Sequence, residues 1–171
     1  MDLLSECLYT APNRNRISTD LLNEIYLEVR AKVLSLLEEQ EYIQFVLDES
    51  PDQNHRRIVN LSVVIPTFGS FYLENDHVGD KALTAGFFVN WFFQRTEAYC
   101  SDPKRIGSLA TDTCATMRKT WTSIEEDPRL DHCFIVPCDS HGLQLFIKDI
   151  LETEPFATTI TKAQTIVSTF H

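Results

Sequence analysis

The stretch YIQFVLDES (residues 42–50) decides the fold of this chain. It is a short apolar run, rich in aromatic and β-branched side chains, and Ser50-Pro51 stops it. A run of this length and composition is typical of a buried β-strand. We therefore predict a first strand that ends at Asp48, with a carboxylate at the strand end.

Two further strands follow, RRIVNLSVVIP (56–66) and GSFYLEN (69–75). Gly69 stands between them and predicts a tight turn, so the two strands are expected to form an antiparallel hairpin. Helical and strand patterns then alternate, with Asp112 closing the fourth strand. The predicted elements are helix 80–99, strand 105–112, helix 113–127, strand 132–138 and helix 140–151.

A helix is predicted upstream of the first strand, over residues 19–39. Apolar side chains recur there at helical spacing, and Ser18 or Thr19 is suited to cap its start. Residues 1–17 are expected to be irregular because Pro12 and two asparagines interrupt them. The apolar face consists of Leu22, Ile25, Tyr26, Val29, Val33, Leu36 and Leu37.

The predicted order is thus a leader helix followed by β-β-β-α-β-α-β-α. This order indicates a mixed α/β (α+β) fold in which helices cover a sheet. Hydrophobic periodicity does not select one topology within this class. A length of 171 residues and a hydrophobic fraction of 43% fit one domain with a substantial core.

Composition argues against several classes of function. The formal net charge of −10 repels a phosphate backbone, so the chain alone is expected to bind nucleic acid poorly. No apolar run is long enough to cross a bilayer, and the start of the sequence lacks the pattern of a signal peptide. The five cysteines lack the spacing of a disulfide framework, which indicates free thiols in a reducing compartment.

Asp48 and Asp112 occupy equivalent places, at the ends of the first and fourth predicted strands. If those strands are neighbours, the two side chains converge at one end of the sheet. Adjacent carboxylates repel each other, and a divalent cation such as Mg²⁺ relieves that repulsion. The alternative is that both are solvated acids or helix caps, since Asp112 precedes a predicted helix. Glu49 and Asp52 add further acids nearby, and both are expected to be exposed.

Cys138 and His141 form a C-x-x-H pair in the segment PCDSHGLQLFIKDI (137–150). A structural zinc site needs four ligands, and the remaining histidines show no matching spacing. A cysteine–histidine nucleophile is a second interpretation, because a helix N-terminus lowers a thiol pKa. The third interpretation is structural, with Asp139 or Ser140 capping the helix.

The segments FVLDES (45–50), LATDTCATM (109–117) and PCDSHGLQLFIKDI (137–150), in this order, resemble the ribonuclease H-like core of hAT-superfamily transposases. The resemblance is closest to the domain of unknown function found in many eukaryotic hAT-derived proteins. APNRNRISTDLLNEIYLEVRAKV (11–33) also resembles the leader helix of that domain. The resemblance spans residues 10–170 and implies a ribonuclease H-like mixed sheet.

The same resemblance implies a DDE-type core that breaks and joins DNA phosphodiesters with Mg²⁺ or Mn²⁺. Asp48 and Asp112 would be its catalytic and metal-binding carboxylates, while Cys138 and His141 would help to position DNA. It further implies a nuclear protein whose parent family binds DNA, although this acidic chain alone is expected to bind DNA weakly or not at all. No membrane partner is expected.

The chain also departs from the family pattern. Thr113 and Thr116 stand where the family usually has asparagine. The family's third carboxylate is a glutamate that follows a large helical insertion, and its absence here leads us to expect a truncated core that is inactive alone. A small nuclease that uses Asp149 with the two aspartates is one alternative. The late acids that could stand in are Asp149, Glu152 and Glu154.

The expected domains are an irregular N-terminus (1–17), a partial transposase core (18–154) and the start of a truncated helical insertion region (155–171). A function of another class is a domesticated protein-interaction module without catalysis. Its binding surface for a protein partner would be the aromatic segment FFVNWFF (87–93), which is apolar almost all round. This helix is expected to be mostly core, and truncation would expose only part of it.

Overall fold

The computed structural model describes residues 12–169. The chain forms two compact units, Met1–Gln40 and Glu41–His171. The first contains α1 (Arg14–Arg16), a π-helical turn (Ile17–Leu21) and α2 (Leu22–Glu38). The second contains β1 (Ile43–Pro51), β2 (Arg57–Ile65), β3 (Gly69–His77), α3 (Ala85–Thr96), β4 (Ile106–Thr111), α4 (Ala115–Glu125), β5 (Phe134–Pro137), α5 (Asp139–Leu151) and α6 (Phe156–Thr169).

The leader helix of the first unit begins earlier than the sequence pattern predicts. Asn13 is its N-cap, and the side-chain oxygen of Asn13 accepts a hydrogen bond from the Arg16 N–H at 2.8 Å. The predicted caps Ser18 and Thr19 instead lie inside the helix, where their hydroxyls donate to the Asn15 carbonyl at 3.1 and 2.8 Å. The cap prediction is therefore wrong, because an asparagine satisfies the first free N–H groups earlier. The predicted irregularity of residues 1–11 lies outside the described residues.

The second unit is built on a mixed sheet with the strand order β3-β2-β1-β4-β5. β2 pairs antiparallel with both β1 and β3, whereas β4 pairs in parallel with both β1 and β5. The predicted mixed α/β class and the order of elements along the chain are confirmed. The predicted hairpin is present, and Gly69 adopts a positive φ of 98° that favours glycine.

β1 is longer than predicted. It continues past Asp48 to Pro51, because its antiparallel pairing with β2 runs on to the pair Pro51–Arg57. The parallel pairing of β1 with β4 ends earlier, at the pair Val46–Ala110. Asp48 is therefore paired with β2 on one edge of β1, whereas on the other edge it lies beyond the last pair with β4.

One face of the sheet forms the core beneath α3 and α4. Alternate residues of β1 are buried there, and the rings of Phe45 and Phe92 meet edge to face with centroids 5.7 Å apart. The segment 87–93 is not an exposed binding surface, because Phe88, Trp91 and Phe92 are buried. The prediction that this helix is mostly core is therefore confirmed, and the prediction of a binding surface is wrong, because α3 packs on this sheet face and against α4.

Large apolar side chains of the second unit are exposed elsewhere. Neither α5 nor α6 buries any residue among those described. No helix within residues 12–169 is long and apolar enough to cross a membrane. The exposed apolar side chains of these two helices include Leu143, Phe146, Ile147, Phe156, Ile166 and Val167.

Candidate two-carboxylate site

Strand register brings Asp48 and Asp112 to the same level of the sheet. Val46 of β1 pairs with Ala110 of β4, and each aspartate lies two residues further along its strand direction. Since side chains alternate along a strand, both carboxylates lie on the face opposite the α3–α4 core. The predicted convergence of these two acids therefore follows from the parallel pairing of β1 with β4.

The pairing of β4 with β5 adds the C-x-x-H pair to the same place. Thr111 pairs with Pro137, and the Cys138 N–H donates to the Thr111 carbonyl at 2.8 Å. Asp48, Asp112, Cys138 and His141 line one cleft of about 1020 Å³. The four site residues predicted from sequence thus lie around a single cleft.

The two carboxylates are close enough to interact electrostatically. Partial desolvation raises the pKa of Asp48 above its ordinary value of 3.8, and the negative charge of Asp112 raises that pKa further. A hydrogen bond from Asn60 acts in the opposite direction and lowers this pKa. Repulsion between two carboxylates is what a divalent cation relieves, so the pair has the chemistry of a hard-cation site.

The loop after β4 holds Asp112 in place. The Asp112 side chain accepts a hydrogen bond from the Cys114 N–H at 3.1 Å. Cys114 rather than Asp112 is the N-cap of α4. Beneath it, Trp121 Nε1–H donates at 2.8 Å to the hydroxyl of buried Thr111, which donates to the Asp112 carbonyl at 2.7 Å. α4 therefore anchors the backbone that carries this carboxylate.

The predicted caps of α5 are not formed. Cys138 is the N-cap, and its side chain makes no capping hydrogen bond. Asp139 and Ser140 lie within the first turn and line the cleft. The predicted capping residues are therefore wrong, because α5 begins at Asp139 and both of them lie inside it.

The other candidate acids are bonded to neighbouring residues or lie away from the cleft. Glu49 lines the cleft and its charge raises the pKa of Asp48, but its carboxylate pairs with Arg57 at 2.7 Å. Asp52 accepts hydrogen bonds from the backbone N–H groups of Asn54 and Arg56, both at 2.8 Å, and so shapes the turn after β1. Asp149 is not among the residues that line the cleft, since it lies ten residues along α5 from Asp139, or about 15 Å at 1.5 Å per residue.

A polar network across three strands reaches Asp48 and was not predicted. Asn60 of β2 pairs directly with Asp48, and its Nδ2–H donates to Ser50 Oγ at 2.9 Å. The Tyr72 hydroxyl lies 3.5 Å from Asn60 Oδ1, and Asn75 Nδ2–H donates to that hydroxyl. The signal in the sequence is a polar residue, Asn60, within the otherwise largely apolar stretch RIVNLSVVI (57–65). Its pairing with Asp48 depends on a strand register that the sequence does not specify.

A family comparison covers nearly all of the chain. The family described as "Domain of unknown function (DUF659)" matches residues 12–166. The chain belongs to the DUF659 family. No curated protein matches it.

The match includes the four site residues predicted from sequence, Asp48, Asp112, Cys138 and His141 of this DUF659 protein. Within residues 12–169, no cluster of three histidine, cysteine or acidic side chains is arranged to hold a metal ion. A cation held by Asp48 and Asp112 alone would take its remaining ligands from water. Mg²⁺ accepts such a set, because it usually keeps several waters.

The raised pKa of Asp48 predicts a pH-dependent stability in this DUF659 protein. The folded state binds the proton of Asp48 more tightly than the unfolded state does, so the protonated acid stabilises the fold. This contribution to the free energy of unfolding is lost as pH rises through the raised pKa. Without a divalent cation, Asp48→Asn is expected to raise the free energy of unfolding at neutral pH. The gain should shrink as the pH falls and vanish well below pH 3.8, where the wild-type acid is protonated in both states.

Urea denaturation of both proteins across this pH range measures the effect. Asp131→Asn, an exposed acid before β5 at the opposite end of the sheet, is the control and should be neutral. Loss of stability in Asp48→Asn at neutral pH would contradict the prediction.

Proposed function

We propose that this DUF659 protein carries the two-carboxylate part of a hAT-type, ribonuclease H-like core, and that Asp48 and Asp112 together hold one Mg²⁺ or Mn²⁺ ion. The observation that carries the proposal is the convergence of these two aspartates, close enough for the charge of Asp112 to raise the pKa of Asp48. Family membership supports it, because this domain is found in hAT-like transposase-derived proteins.

The topology of the sheet gives independent support. A ribonuclease H-like core has three antiparallel strands followed by parallel ones, and the order β3-β2-β1-β4-β5 agrees with that description. In such an arrangement the first and fourth strands are neighbours. Their neighbouring positions place a carboxylate from each strand at one sheet edge.

The chemistry follows from the donor set. A divalent cation activates water and stabilises the leaving oxygen in phosphodiester hydrolysis or strand transfer. Asp48 and Asp112 would hold and orient that cation, and Cys138 and His141 on the cleft rim would position the DNA backbone. Two carboxylates fix a cation loosely, so we expect the described residues to bind metal without supporting strand transfer by themselves.

The proposed nucleic-acid partner must contend with the charge of the chain. A net charge of −10 opposes the approach of DNA, so binding is expected to depend on the cation in the cleft. DNA as the target implies that the protein works in the nucleus.

A thermal-shift titration with Mn²⁺ tests the proposal. A ligand that binds only the folded state adds about 2.7 kcal/mol of stability at one hundred times its dissociation constant. The melting temperature of the wild type and of Asp131→Asn should therefore rise, whereas that of Asp112→Asn should not. An equal rise in all three proteins, or a rise in none, would contradict it.

A second candidate function is a protein-interaction module without catalysis. The observation in its favour is the exposed apolar surface of α5 and α6, which includes Phe146 at 60% and Ile166 at 60% exposure. Exposed patches of this kind attract partners. The absence of any Mn²⁺-dependent shift would make this function the better explanation of the chain.

A further inference from the structure

In the network that ends at Asp48, the hydrogen bonds run from β3 toward β1. Asn75 Nδ2–H donates to the Tyr72 hydroxyl, which therefore uses its single proton on another acceptor. That acceptor is Asn60 Oδ1, 3.5 Å away. With its oxygen facing Tyr72, Asn60 turns its amide N–H groups toward β1.

Those N–H groups have two acceptors on β1. One is Ser50 Oγ at 2.9 Å, and the other is the carboxylate of Asp48, the residue directly opposite Asn60 in the antiparallel pairing of β1 with β2. An amide that faced the other way would present an oxygen to the carboxylate, which offers no proton when ionised. The network thus fixes the side of Asn60 that Asp48 meets.

A β-bulge in β3 makes the network possible. The register of β2 with β3 shifts between Leu61 and Ser62, so that Leu73 is left unpaired. The shift pairs Ser62 with Tyr72 and places Tyr72 on the same sheet face as Asn60 and Asp48. In an unbroken register Tyr72 would lie on the opposite face.

We propose that Asn60 is a positioning residue, which holds one oxygen of Asp48 and leaves the other free to bind the cation that Asp48 shares with Asp112. The inference rests on the proposed function and names a residue that acts through Asp48. Groups that hydrogen-bond to ligating carboxylates fix their orientation, and their removal typically weakens metal affinity about 10- to 100-fold.

The test measures the dissociation constant for Mn²⁺ from the electron paramagnetic resonance signal of the free ion. Asn60→Ala should raise the dissociation constant about 10-fold, at the lower end of that range. Tyr72→Phe removes only an exposed hydroxyl and frees the amide to turn, so it should weaken binding less. Ser62→Ala, the next position on the same face of β2, is the matched control and should bind like the wild type. Unchanged affinity in Asn60→Ala would overturn the inference.

A second measurement separates this inference from the proposed function. In ¹⁵N NMR spectra without metal, Asp48→Asn should shift the side-chain amide signals of Asn60, while those of Asn90 on α3 stay in place. If the wild type binds no Mn²⁺, the proposed function fails, but a shifted Asn60 signal would still support the contact with Asp48. An unshifted Asn60 signal would overturn the inference whatever the metal result.

Discussion

Replacing Phe92 by alanine is expected to lower the free energy of unfolding by about 3–5 kcal/mol, the range for large aromatic side chains removed from a core. Phe92 is fully buried at 0% exposure and meets Phe45 of β1 edge to face. The substitution removes a contact between α3 and the sheet and leaves a cavity behind. Equilibrium unfolding in urea measures the loss.

Asn90→Ala is the control for this substitution. Asn90 lies on the same helix and is exposed, so its replacement should change stability by less than about 0.5 kcal/mol. An equal effect of the two substitutions would mean that α3 does not pack on the sheet as described.

Gly107→Ala is expected to destabilise the protein by about 1–3 kcal/mol, the usual range for an overpacked site. A Cβ on Gly107 would lie 2.8 Å from the Cβ of Tyr42, which is too close for two carbon atoms. Gly107 of β4 has no pairing partner on β1, because the register of the two strands shifts between the pairs Ile43–Ile106 and Gln44–Ser108. Without that shift Asp48 would be level with Thr111 rather than Asp112.

Two further variants test the cause of this destabilisation. Gly142→Ala in α5 meets nothing within 4 Å and should stabilise the protein by about 0.5–1 kcal/mol. Combining Gly107→Ala with Tyr42→Gly should show a favourable coupling, since the second change removes the atom that clashes. Strict additivity would indicate that Tyr42 is not the obstacle.

The fold class could be predicted because β1 and its neighbours have clear local signals. The apolar run before Asp48 and the glycine at 69 are properties of single segments, so periodicity and turn chemistry sufficed. The limits of β1 could not be predicted. Its extension to Pro51 depends on pairing with β2, and no local pattern contains that information.

The candidate site was predictable to the same extent. Asp48 and Asp112 could be paired from sequence because each follows an apolar strand, and neighbouring parallel strands end at one edge of a sheet. Asn60 could not be assigned, because its contact with Asp48 depends on cross-strand register and its orientation depends on the bulge at Leu73. The aromatic segment 87–93 could be assigned mostly to the core because it is apolar almost all round, and its burial agrees. Which of its residues stay exposed could not be predicted, because apolar residues around a whole helix do not reveal what covers them.

The central claim is that Asp48 and Asp112 share one divalent cation, and a double-mutant cycle of Mn²⁺ binding by electron paramagnetic resonance tests it most directly. The wild type should bind one ion, and Asp48→Asn and Asp112→Asn should each weaken that binding. The double variant should be little worse than either single variant, since both changes remove ligands of the same ion. Independent, additive losses, or no bound Mn²⁺ in the wild type, would contradict the claim.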